Sequence, residues 1–198
     1  MHPNPAFRSD ENPLAFVAAH AFGHIFGVTP DGARVAHAPI LVTADKALRF
    51  HLANANALTA HLDGARALVS LATHGSYISA NWYADPAANV PTWQYRAVEI
   101  DGSARALSPT ELDELLDLAA ATLEPRVGEN WTMAKMDPRR GAAMKRAITG
   151  FEIVPDTIRT TDKHGQNRSE ADACAVIAGL EASGNPQGAA EMRRLRRW

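Results

Sequence analysis

A single cysteine, Cys174, stands in this chain of 198 residues. That excludes an internal disulfide and any cysteine-built metal cluster, and it fits a reducing, cytoplasmic setting. An excess of one charge is also missing. Twenty Lys and Arg face 22 Asp and Glu, a net of −2, so no global basic field draws the chain to nucleic acid or an anionic membrane. Apolar runs are broken within a few residues by His, Gly or Asp, and none predicts a bilayer span. The opening, MHPNPAFRSDENP, lacks the charged-then-apolar pattern of a leader. There is no P-loop, GxGxxG, Ser-His-Asp order or HExxH, so hydrolase and nucleotide-triphosphate chemistry has no support. His20 and His24 lie four apart without a third ligand, and the eight histidines read as core and surface residues rather than a metal site.

What is present is a hydrophobic share of 46%, enough for a sizeable core. All three tyrosines and two of the four tryptophans fall in one stretch, YISANWYADPAANVPTWQY, from Tyr77 to Tyr95. Its rings alternate with Ser79, Asn81, Thr92 and Gln94 around a Pro/Ala/Asn loop. Rings with polar tips among polar residues suit the wall of a pocket or a subunit seam better than a dry core.

Turn chemistry and periodicity order the rest. Asn12-Pro13 opens a short helix expected to end at Gly23. Residues 23–29 and 34–42 flank a Pro-Asp-Gly turn and read as a hairpin, with Pro39 confining its strand to an edge or a bulge. Further strands are expected at 48–52, 65–74 and from Thr92 to Ile100, the last ended by Asp101-Gly102 as a turn. A helical turn fills 53–62. Beyond about residue 107 helices take over. Ser108-Pro109-Thr110-Glu111 is a capping box, Asp137-Pro138 opens a second helix, and Ser169-Glu170 opens a third. A strand near 150–160, broken at Pro155, lies between the last two. The inner face of the third helix is Ala173, Val176, Ile177 and Leu180, and Cys174 beside it is expected to be buried.

This pattern predicts a mainly β protein with helices (α+β). One barrel domain covers 1–183, and a short basic helical tail covers 184–198. In the tail, Arg193, Arg194, Arg196 and Arg197 read either as phosphate contacts for DNA or as a solvated end. His51 to Asn56 close a strand and begin a helical turn. Free N–H groups there make a phosphate cradle; alternatively His51 bonds a carbonyl and Asn56 only caps.

Several blocks together resemble the PaiB family of FMN-binding negative transcriptional regulators. Tyr77-Ile78-Ser79 with Trp82-Tyr83, then Val90-Pro91-Thr92-Trp93-Gln94-Tyr95, follow the family pattern in order. His51-Leu52-Ala53-Asn54-Ala55-Asn56-Ala57, Ile148-Thr149-Gly150-Phe151-Glu152-Ile153 and Lys163-His164-Gly165-Gln166-Asn167-Arg168-Ser169 follow three more. The chain departs from the pattern at His2, Asn54, Ala57, Ala80 and Gln94. Asn54 stands where the family has arginine, which removes a permanently charged, bidentate partner.

The resemblance implies the split β-barrel of the pyridoxamine-phosphate-oxidase-like flavoproteins, with surrounding helices and a C-terminal helical segment. It implies a homodimer holding FMN at the dimer interface. The phosphate would sit at His51, Leu52 and Asn56, and the isoalloxazine beside His37, Ala38 and Pro39. Trp82, Tyr83, Thr92, Trp93 and Tyr95 would stack on the ring or cross the two-fold. Two rival classes use the same residues: a flavin-dependent oxidoreductase of a small molecule, and a barrel dimer that has lost FMN.

Overall fold

The computed structural model describes residues 1–196. Its contacts divide the chain into two compact units. The first, unit A, comprises Met1–Glu11, Ala72–Val98 and the described residues from Arg159 on; the second, unit B, comprises Asn12–Leu71 and Glu99–Ile158.

Unit B carries the antiparallel sheet. Helix α1 (Pro13–His20) is capped by Asn12, whose side chain accepts from Leu14 N–H at 3.0 Å. It ends three residues before the expected Gly23, because Ala21 takes a left-handed conformation (φ 52°) and its N–H closes on Val17 O. The hairpin forms as its turn demands. β1 (Phe22–Thr29) and β2 (Gly32–Pro39) pair from Phe22↔Pro39 to Thr29↔Gly32, and Gly32 supplies the positive φ. β3 (Leu41–Val42) and β4 (Leu48–Ala53) follow, then the single turn α2 (Thr59–Leu62), which is shorter than the helical turn expected at 53–62. β5 (Arg66–Ala72), β7 (Thr92–Ala106) and β8 (Ile148–Ile153) complete the strand order β2-β1-β5-β7-β8-β4-β3. β2 is at one end of that order, as Pro39 requires.

Asp101-Gly102 is not a turn. β7 runs through it for 15 residues, because Asp101 O accepts from Asp156 N–H and the Asp101 carboxylate pairs with Arg66. Gly102 is needed for close approach instead: a Cβ there would lie 2.5 Å from Val154 O. The sheet buries Ile25, Leu48, Phe50, Val69, Ile100, Phe151 and Ile153, and the rings of Phe50 and Phe151 lie 5.7 Å apart. Each such side chain contributes about 1.5–3 kcal/mol. α3 (Pro109–Leu123) starts at the predicted capping box and packs Leu112 and Leu115 against Leu41, with Leu107, Leu116 and Ile148 beside them. α4 (Pro138–Lys145) leads directly into β8.

In unit A, β6 (Ser76–Ile78) pairs with the start of β7, matching Tyr77 to Trp93. β9 (Thr157–Lys163) also pairs with β7. α5 (Glu170–Ala182) buries the expected Ala173, Val176, Ile177 and Leu180 against Ile78 and Tyr83. Cys174 is exposed, not buried, because it falls one position past the stripe. α6 (Pro186–Arg194) packs on α5 through Ala189 and Met192. Among the described residues no helix is long and apolar enough to cross a membrane.

Candidate functional site

Strand geometry carries two of the expected residues into one cavity of unit B. Pro39 ends β2, and His51 sits on β4 opposite Gly150 of β8. Both line a space of about 370 Å³ whose other walls come from α3, α4 and the segment between them, chiefly Leu116, Trp131, Met133 and Met144. Glu124 and Lys145 are its charged members. Burial pushes the His51 imidazolium down, so the neutral ring is favoured. That ring makes no hydrogen bond among the described residues, leaving a polar tip in an apolar hollow.

A second cavity, also about 370 Å³, shares Lys145 and Ile148 with the first and is lined further by Ser108, Asp113, Arg146 and Thr149. Lys145 Nζ lies 2.6 Å from an Asp113 oxygen. Asn54 is tied in beside it. Its Nδ2 donates to Arg146 O at 2.7 Å, and its Oδ1 accepts from Thr149 Oγ1 at 2.8 Å. The Asn54 amide therefore anchors the segment bearing Arg146. Asn56 caps, its Oδ1 accepting from Leu58 N–H at 3.0 Å. Leu52 and Ala38 are buried, at 4% and 3% exposure, so only their backbones are free to meet a ligand.

His37 lies outside this cavity. It pairs with His24 across β1 and β2 on an exposed face, the rings 4.8 Å apart. Phe22, Phe26 and Val28 occupy the same face of β1, 57%, 41% and 75% exposed, with Val35 opposite Phe26.

The remaining expected residues belong to unit A. Trp82 and Tyr83 pack into the α5–α6 cluster. Trp93 and Tyr77 form an exposed cross-strand pair, with Trp93 Nε1 donating to His74 O at 3.0 Å. Tyr95 is half-buried on the same strand. Thr92 accepts from Lys163 Nζ at 2.6 Å. Three of the four clustered arginines have intramolecular partners: Arg193 on Glu181, Arg194 on Glu11 and Asp162, and Arg196 on Gly165 O. Arg197 lies outside the described residues.

Sequence reasoning missed Trp131, Met133, Met144, Lys145 and Arg146. For Trp131 and Met133 the signal was the segment GENWTMAKMD, in which a ring and thioethers sit in an otherwise polar connection between two helices. A connecting segment that keeps such residues is covering something.

The family model FMN_bind_2, described as "Putative FMN-binding domain", matches residues 1–157. The chain belongs to this FMN-binding family. FMN is the cofactor that membership assigns. "Protease synthase and sporulation protein PAI 2" of Bacillus subtilis is 35% identical over 111 residues, covering 56% of this chain and 53% of that protein. The chain thus spans about half the length of the curated relatives it matches. Among solved structures, the conserved hypothetical protein Rv2991 of Mycobacterium tuberculosis aligns with TM-score 0.59 at 17% identity, over 84% of this chain and 92% of that one. The flavocytochrome Anf3 of Azotobacter vinelandii aligns with TM-score 0.58 at 15% identity, over 84% and 73%. At these identities the likeness concerns the fold, which is the split β-barrel.

The residues present fit the cofactor. The apolar hollow with an unpartnered imidazole suits a flat heteroaromatic ring edged with hydrogen-bonding groups. The adjoining cavity offers Arg146 to a phosphate, beside Lys145 in its ion pair with Asp113.

Proposed function

We propose that this PaiB-type protein acts as a homodimeric negative transcriptional regulator, with FMN bound in unit B. The convergence of Pro39 and His51 on one apolar cavity carries the placement. Bound FMN supplies reversible uptake of electrons or hydride. The chain's own residues hold it: Trp131, Leu116 and the methionines exclude water from the ring, and neutral His51 offers one donor or acceptor to its edge. Pro39, lacking an N–H, leaves that wall without a competing donor. Arg146, positioned by Asn54, takes over the phosphate charge that the family places at position 54.

The exposed row of Phe22, Phe26, Val28 and Val35 supports self-association. These four side chains are apolar, flank the His24–His37 pair, and are covered by the same surface of a second copy under two-fold symmetry. The Bacillus relative's name ties that protein to protease synthesis and sporulation, which supports regulation over metabolism.

Titrating the apoprotein with FMN tests the placement. His51→Ala and Trp131→Ala should each weaken binding about tenfold or more, as loss of a central anchor does. Unchanged affinity in both variants would refute it. Retention on promoter DNA that falls steeply with salt is expected of the regulator. NADH-driven turnover without DNA binding would favour an oxidoreductase.

A further inference from the structure

Unit A contains a pocket of about 240 Å³, lined in part by Tyr83 and Thr92, that the flavin placement proposed in unit B does not use. Two cations face it, Lys163 at the end of β9 and Arg168 five positions on. Lys163 Nζ reaches Thr92 Oγ1 at 2.6 Å; Arg168 donates to Asn89 Oδ1 at 2.7 Å and lies over the Tyr83 ring, 4.6 Å from its centroid. Among the described residues neither makes an ion pair. Asp172, the carboxylate that feels Arg168, is committed to Ala84 N–H and the Ser169 hydroxyl. Burial, and then the charge of Arg168, push the Lys163 ammonium down. The pocket also holds Gln94, 2% exposed, whose Oε1 has no hydrogen-bond partner.

A buried acceptor left unmade costs stability, and among the described residues the two cations beside it have no carboxylate to neutralise them. An anion carrying its own N–H or O–H group satisfies all three. The geometry points to a binding site for a small organic anion, a hydroxy-carboxylate or a phosphate ester. Lys163 and Arg168 take the anionic end, and Gln94 Oε1 accepts from the donor. Lys163 follows Asp162 by one position on β9, and strand alternation turns the two side chains to opposite faces, so Asp162 cannot serve as its counterion.

The experiment is calorimetric titration of the full chain with inorganic phosphate and with L-lactate, against sodium chloride of equal ionic strength. Lys163→Gln and Arg168→Gln should each weaken binding about tenfold, the effect of losing one charge-assisted hydrogen bond. Arg168→Lys should recover part of the loss, and Lys46→Gln on an exposed turn should change nothing. Should either variant fail to fold, the wild-type melting temperature must still rise with phosphate beyond its rise in chloride. No heat from either probe, or binding that survives both glutamine variants, overturns the proposal. A repeat with saturating FMN identifies the source of the anion. Undiminished phosphate binding assigns the pocket to a free acid; abolished binding assigns it to the phosphate of the flavin and overturns both the separate site and the flavin placement in unit B.

Discussion

Arg194, the last residue of α6, closes on the buried carboxylate of Asp162, its Nη2 donating to the two oxygens at 2.9 and 3.1 Å. His164 Nδ1 joins at 2.7 Å and Arg96 Nε stands at 3.8 Å. Burial pushes this carboxyl up, but the hydrogen bonds and charge of His164 and Arg194 outweigh it and hold the group below its ordinary value. A residue read from sequence as part of a basic tail thus completes the interior of unit A.

Asp162→Asn keeps the shape and removes the charge. It should destabilise the fold by about 3 kcal/mol, near the lower end for a broken buried pair because Arg194 retains Glu11 and Glu191. Urea denaturation measures this, and an unmoved midpoint would contradict it. The sign in acid follows from the lowered value. The contribution is complete above pH ~4, the unfolded carboxyl's pKa, and is lost as pH falls through the folded one. The gap between wild type and variant should therefore narrow below pH 4.

His51 gives the opposite limb. Its folded pKa lies below the ordinary 6.5, so above that pH both states are neutral and nothing is gained or lost. Below it the unfolded chain takes up the proton first, and stability declines as pH falls. His51→Phe should remove that share of the slope in melting temperature between pH 7 and 5.

Phe26→Glu places a charge in the middle of the exposed row on β1. The variant should elute as a monomer, since losing a central apolar anchor costs an interface about 2 kcal/mol or more. Its melting temperature at high dilution should match that of the wild type, because Phe26 is already 41% exposed in the single chain.

Gly179 sits inside α5, where alanine would ordinarily add about 1 kcal/mol. A Cβ there, however, would enter the indole of Trp82, 2.7 Å from Cε2. Overpacking of this kind costs about 1–3 kcal/mol, so Gly179→Ala should destabilise on balance. A gain in thermal stability would show that the indole moves aside at little cost.

Local chemistry made the frame legible. Asn12-Pro13, the Pro-Asp-Gly turn, the capping box at Ser108 and the stripe on α5 each act within a few residues, and each formed as read. The misses share a cause. Asp101-Gly102 resembled a turn, but its behaviour is set by Arg66 and Asp156, 35 and 55 positions away. The cavity around His51 needed Trp131 and Met144 from segments about 80 and 93 positions on, which no local period reveals. Arg194 looked like surface until Asp162 was placed beneath it.

Unit A is drawn from three separate stretches of chain, and its last stretch begins at Arg159. On a ribosome, therefore, Ile78 and Tyr83 leave the exit tunnel long before α5 and α6 can cover them. The nascent chain carries an uncovered greasy patch for much of its synthesis, so the abundance of soluble protein in a cell should depend on chaperones that tend growing chains.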